Sequence, residues 1–568
     1  IDGLKKEDTA LVIVGRAYNT MDSGLNLELP QKLRAMGTIA IPYDMLPVDS
    51  VIDEAFAEDM YWKSGQRILA AAKLTRNDDR LYTVYITNFG CGPDSFITHF
   101  YKDTSLGKPF LQLEIDEHSA DAGAITRCEA FLDSIKNVKG RIRPDNREKG
   151  VLKRTNIKKK LYLPNMSDGV HPMAAAFEAC GIDAVVMPMP DEESLKLGKR
   201  YTSGRECYPA ILTTGDMVKT VKSKGFDPER SAFFMPSGNG PCRFGQYNRY
   251  HRLVLDELGF KDVPVYAPDQ DGNFYRELSA AGGNFSRLAW WGIVACDILE
   301  KKLRQVRPYE KVKGESERVY WESVNKVCDA IRVKKFPDAE LKAARDAFGR
   351  IDTHPYGTRP LIGMVGEIYV RSNRFSNENV VTKFEDLGAE VLVPTISEWI
   401  FYTNWCNKQN TWERKNYGDY ARVIFNDFFQ HKDERKLEDI FNDSMRMAHE
   451  PKVEEIIGNA KEYVHSSFEG ETILSIGKTL DYIAEGAHGI VNAMPFTCMP
   501  GTIVNALLKR LREDNSNIPY LNMVFEGTED TNSATRMEAF VHQAREFMLQ
   551  KKAAAAHAGQ AQYARAAS

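Results

Sequence analysis

The chain aligns with itself, and that internal repeat limits the possible folds more than any other feature of the sequence. LVIVGRAYN…KLRAMG (11–37) matches IGMVGEIYV…KFEDLG (362–388), with Gly15 to Gly366 and Gly37 to Gly388 both offset by 351. Further on, FGCGPDSF…KPFLQLEIDEHSADAGAITRCEAFLDS matches FTCMPGTI…IPYLNMVFEGTEDTNSATRMEAFVHQ, and here Cys91 pairs with Cys498 at an offset of 407. The growth of the offset from 351 to 407 means that the second copy carries an insertion of about 56 residues. Two copies of one supersecondary module therefore flank a middle segment.

Short apolar runs alternate with helix-length amphipathic stretches, the pattern of parallel sheets covered by helices. Strands are expected at 11–15, 38–43, 81–87, 109–115, 160–164, 184–188, 231–236, 263–268, 361–366, 390–394, 488–494 and 519–525. The fold class is α/β: repeated Rossmann/flavodoxin-like modules with parallel sheets and added helical segments. The expected modules are 1–145 (copy one), 155–350 (with a helical extension) and 355–550 (copy two, with a helical insertion at about 400–465). Charged connectors fall at 136–160 and 306–318, and the Ala-rich 551–568 reads as a frayed tail with little to bury. Because a module precedes the second copy and none precedes the first, and because the chain starts with Ile rather than Met, a further module is expected upstream of Ile1.

With 75 Lys+Arg against 79 Asp+Glu, the 568-residue chain lacks the basic excess of a nucleic-acid binder. Its most apolar stretch, LAWWGIVAC, is too short to span a bilayer. The N-terminus has no apolar secretory core. Nine cysteines with no CxxC pair do not form a disulfide framework and fit a reducing cytoplasm.

Four cysteines stand in loops. Cys91, Cys242 and Cys498 each follow an expected strand, at the carboxyl end where open α/β sheets bind ligands. Cys207, followed by Pro209, sits near a helix N-terminus that favours a thiolate. The other five, Cys128, Cys180, Cys296, Cys328 and Cys406, lie in helical or apolar patterns and read as small buried hydrophobes. Loop thiolates point to a soft metal, zinc or an iron–sulfur cluster. Structural zinc sites favour closely spaced Cys pairs, absent here, so a cluster held between modules by single cysteines from distant loops fits better.

The strings GRAYNTMDSGLNLELPQKL, FGCGPDSFITHF, LEIDEHSADAGAITRCEAFLDS, SGRECYPA and PSGNGPCRFGQYNRY resemble proteins related to acyl-CoA dehydratase activases. Those belong to the superfamily of 2-hydroxyacyl-CoA dehydratases, benzoyl-CoA reductases and double-cubane cluster proteins. The resemblance implies a cluster held by three cysteines, two about 35 residues apart and one far downstream. Cys207, Cys242 and Cys498 fit that pattern. Cys91 fits the third position of a second set whose partners would lie upstream. It further implies a 4Fe–4S cluster or, with a second cubane, an 8Fe–9S double cubane, and a separate or fused ATP-dependent activase that feeds it electrons at low potential. The implied function is a reductase or dehydratase component acting on an acyl-CoA-type substrate. The alternatives are a double-cubane reductase of small molecules and a non-catalytic electron relay. A homodimer is compatible with each.

Among other residues, His118 and Glu117 in IDEHSADAG stand past a strand end and suit proton donation. Arg205 and Arg243 adjoin ligand candidates and could tune a cluster potential through their charge. Arg127 and Arg536 recur in TRxEAF, where they could offset charge or sit behind N-capping Thr126 and Thr535. No Walker or dinucleotide spacing is present, so ATP is not expected to bind this chain.

Overall fold

A computed structural model describes residues 3–5, 8–53, 56, 59–88, 90–136, 152–153, 159–238, 240–268, 282, 284–528 and 532–566. Most of the connector expected at 136–160 and the start of the helical stretch expected at 270 lie outside these residues.

Each repeat builds a four-stranded parallel sheet. In the first, β1 (Ala10–Gly15), β2 (Ile39–Pro42), β3 (Leu81–Asn88) and β4 (Phe110–Ile115) stand in the order β2-β1-β3-β4. The middle segment contributes β5 (Leu152–Lys153), β6 (Lys160–Leu163), β7 (Ala184–Val186), β8 (Ser231–Phe234) and β9 (Val265–Tyr266), in the order β5-β9-β8-β6-β7. In the second repeat, β10 (Leu361–Gly366), β11 (Glu390–Leu392), β12 (Gly489–Pro495) and β13 (Tyr520–Phe525) stand as β11-β10-β12-β13. Every pairing between these strands is parallel. All twelve expected strands are present, and β5 is an addition inside a segment read as connector.

Read from β6 onward, the middle sheet has the same order as its neighbours: second, first, third, fourth. The molecule thus contains three copies of one topology, although only two are related visibly in sequence. Strand patterning explains the sheets. β1, β10 and β12 are buried along their whole length and apolar almost throughout, as strands covered on both faces by helices must be. The two sequence-related copies also share backbone detail: Leu27 and Glu28 (φ 52° each) correspond to Glu378 and Asn379 (φ 53° and 56°), all left-handed just ahead of a helix. Arg127 bonds the carbonyl of Gln112, and Arg536 bonds that of Asn522. These arginines tie a helix to the neighbouring strand. Nor do Thr126 and Thr535 act as N-caps, because their helices begin earlier, at Asp121 and Ser533.

The chain divides into two compact units, 1–149 with 203–206, and 150–202 with 207–568. The middle and last modules make one unit because one apolar core runs through both, from Leu161, Phe177 and Trp290 to Tyr482 and Ile490. The insertion of the second copy is helical as expected, with helices Ile396–Glu413, Tyr417–Glu438 and Val453–Ala460. The final helix, Ser533–Ala566, continues through most of the segment read as a frayed tail, in keeping with the helix propensity of its alanines. Among the described residues no helix is long and apolar enough to cross a membrane.

Candidate functional site

Each of the four loop cysteines is the residue immediately before a helix. Cys91 precedes the helix Gly92–Thr104, Cys207 precedes Tyr208–Val221, Cys242 precedes the 3-10 turn Arg243–Gln246 that runs into Tyr247–Glu257, and Cys498 precedes Met499–Asp514. All four have extended backbone (φ −63° to −71°), and in three of them proline stands within the first two helical positions. Proline there costs no hydrogen bond and presets the helix. The C-x-P spacing of Cys91, Cys207 and Cys498 was legible in the sequence, yet only the one at Cys207 was read as a helix start. Cys91, Cys242 and Cys498 follow the third strand of their sheets, beside the switch point between first and third strands where doubly wound folds bind ligands.

Cys207, Cys242 and Cys498 share one neighbourhood in the larger unit. The thiols of Cys207 and Cys498 both act electrostatically on Cys242, and all three act on Arg243. Cys207 and Cys498 are buried, Cys242 is half-buried, and none of the three is in a disulfide. The Cys207 Sγ lies 2.6 Å from the Tyr247 hydroxyl. Burial pushes each thiol above its ordinary pKa. Arg243 and the Tyr247 hydroxyl pull Cys207 back down, and the Glu471 carboxylate pushes Cys242 and Cys498 further up. Burial disfavours the charge of Arg243, but the surrounding thiols and Tyr247 outweigh it and raise its pKa. Its guanidinium donates 3.0 Å to the carbonyl of Thr497, binding the middle module to the turn before Cys498. Thr497 has φ 59°, where the first copy has Gly90 at 70°. A β-branched residue is strained in this conformation, and such strain gathers at functional turns.

Two carboxyls complete the surroundings, and the sequence reading passed over both. Glu367 follows β10 and accepts from the Val370 amide at 2.8 Å, while Glu471 accepts from the Ile368 amide at 2.7 Å. Burial and then the neighbouring Glu367 push Glu471 up to about 8, against the pull of Arg371. Cys242, Glu367 and Glu471 line a cavity of about 560 Å³ walled by Phe244, Trp290 and Trp399. Cys406, expected to be a core residue, stands half-buried in the wall of that cavity. Cys128, Cys296 and Cys328 are buried as expected, and Cys180 is half-buried.

In the smaller unit, burial and then Asp94 push Cys91 up to about 11, against Arg16. Arg16 and Asp94 pair at 3.3 Å. Arg205 belongs to this unit and pairs with Glu114 at 2.6 Å. His118 and Glu117 are 84% and 83% exposed. So wet a turn is at odds with the sheltered position of a proton donor.

Among the described residues no three His, Cys, Asp or Glu side chains converge on a single ion. Ligands of an iron–sulfur cluster bind separate irons, so they do not have to converge. Three soft thiols at helix N-termini around a buried guanidinium fit the donor chemistry of an iron–sulfur cluster. No protein-family model and no curated protein matches the chain.

Proposed function

We propose that the chain is the cluster-bearing component of a low-potential reductase or dehydratase, with an iron–sulfur cluster held by Cys207, Cys242 and Cys498. An ATP-dependent activase, separate or fused, supplies its electrons. The observation that carries this reading is the meeting of three cysteines from three helix N-termini around Arg243, one of them in the wall of a largely apolar cavity. Such a cluster, when bound, supplies single electrons at low potential.

The chain's own residues do the rest. Arg243 offsets thiolate charge in a buried setting, and the helix N-termini add positive potential on the same side. The aromatic and aliphatic walls keep water from a reduced substrate. Burial and Glu367 favour the protonated form of Glu471 in the cavity wall.

A pocket of about 560 Å³ is far larger than the roughly 150 Å³ that holds benzene. This supports an acyl-CoA-type substrate over a small-molecule reductase. A cysteine lining the cavity also favours an enzyme over a relay, which needs no room beside its cluster.

The test is anaerobic purification with iron and acid-labile sulfide analysis and electron paramagnetic resonance. Serine replacement of Cys207, Cys242 or Cys498 should each abolish the cluster signal, while Cys328→Ser should keep it. Stoichiometric zinc without iron in the unaltered protein would overturn the reading.

A further inference from the structure

The insertion that sets the second copy apart from the first has an inner and an outer side. Its helix Tyr417–Glu438 is fixed from within: the Trp290 indole donates to the Gln430 carbonyl at 3.1 Å, the Trp291 indole donates to the Asp433 carboxylate at 2.7 Å, and Val423 and Leu437 are buried. The outer side is apolar and bare. Tyr417, Ala421, Ile424, Phe425 and Phe428 fall on one face at helical spacing, and all are exposed. Trp412, Tyr417, Phe425 and Phe428 are each 57–62% exposed, and Phe429 is 36% exposed. The rings form a continuous row, Trp412 meeting Tyr417 and Tyr420, and Phe429 meeting Phe425 and Phe428. At ~200 Å² per aromatic side chain, ~550 Å² of ring surface faces outward, the size of the largest apolar patch on a typical monomer.

This face complements itself when a second copy is laid antiparallel to it. A twofold axis between Ile424 and Phe425 sets Phe428 over the partner's Ala421, and the ring fills the gap that the small side chain leaves. The same register sets Lys432, exposed one turn beyond Phe428, against the partner's Tyr417, where a cation meets an aromatic face. Each contact is made twice. Two such faces bring ~1,100 Å² of ring surface together, and the aliphatic neighbours carry the total into the ~1,200–2,000 Å² range of stable interfaces.

We propose that the outer face of Tyr417–Glu438 joins two copies of this chain as an antiparallel helix pair, with the twofold axis between Ile424 and Phe425. The second copy then borders the cavity mouth, because Asn416 and Asp419, at the start of the same helix, line the cavity.

The experiment is sedimentation velocity on the whole chain across a hundredfold range of concentration, which should show a dimer. Phe428→Asp buries an unpaired charge at the contact and should weaken the dimer at least ~10-fold. Ala421→Lys closes the gap that receives the ring and should do the same. An equimolar mixture of the two variants should dimerise again, because the register opposes positions 421 and 428. The new lysine then meets the new aspartate, and the other Phe428–Ala421 contact is kept. Both side chains are exposed in the single chain, so both variants should keep the parent's circular dichroism. A parent that stays monomeric, a variant that dimerises as tightly as the parent, or a mixture that stays monomeric would overturn the proposal. A monomeric parent that cosediments with phosphatidylglycerol vesicles would overturn it in favour of a membrane surface.

Discussion

Cys207 owes its position to two glycines. The helices Glu192–Tyr201 and Tyr208–Val221 touch backbone to backbone: a Cβ on Gly215 would lie 1.8 Å from the Ser194 carbonyl oxygen, and one on Gly198 would lie 2.0 Å from that of Ile211. A helical carbonyl cannot swing aside, so Gly215→Ala must part the helices by over ~1 Å to restore van der Waals contact. Overpacking of this kind costs about 1–3 kcal/mol, and the backbone obstacle places this site at the upper end. Alanine returns up to ~1 kcal/mol of helix propensity, leaving a net loss of ~2 kcal/mol. Because Cys207 caps the second of these helices and is 5% exposed, the same displacement should speed its alkylation in iron-free protein. Denaturant titration and iodoacetamide labelling read the two effects. Gly458→Ala, where an added Cβ meets nothing within 4 Å, is the control and should gain stability. A Gly215→Ala protein as stable as its parent, with Cys207 still protected, would refute the reasoning.

Lys478 is buried among Glu450 (2.8 Å), Asp481 (3.1 Å) and Glu398 (3.5 Å), so Lys478→Met strands buried acids and should cost ~3–5 kcal/mol in denaturant, a loss under ~1 kcal/mol arguing against it. Burial, helped by Glu300, pushes Asp297 up to about 7 from 3.8. The folded state therefore binds this proton more tightly than the unfolded chain. The stability it contributes is full below about pH 4 and is lost as pH rises through 7. Asp297→Asn should accordingly gain on its parent from pH 5 to 8, and parallel pH–stability curves would contradict this. Tyr247→Phe removes the hydroxyl beside the Cys207 sulfur and should make the reduction potential of the loaded protein more negative, as measured by redox titration monitored by electron paramagnetic resonance. An unchanged potential would mean that this hydroxyl does not donate to the sulfur.

The sheets were legible because buried parallel strands are written as unbroken apolar runs, as in LVIVG and LIGMVG. The kinship of the middle module was not, because strand order is a property of space: β6 to β9 repeat the topology of their neighbours without repeating their residues. The cysteines were legible as loop residues, and their shared place before helices could have been found from proline spacing. Glu367 and Glu471 could not, since a carboxyl in a polar sequence gives no sign of being buried until the chain folds over it. Arg205 and His118 show a related limit: adjacency along the chain to a cysteine or a strand end does not fix which way a surface side chain turns, and Arg205 turns to Glu114.

The loop after a third strand can be rewritten without disturbing the sheet below it, and so can the loop after a first strand. In the two sequence-related copies, Arg16 and Glu367 occupy the same place after the first strand, a cation in one and an acid in the other, each electrostatically coupled to the cysteine of its own module. Duplication thus left this protein with one turn written twice, its polarity reversed by a single substitution while the strand order beneath it stays constant.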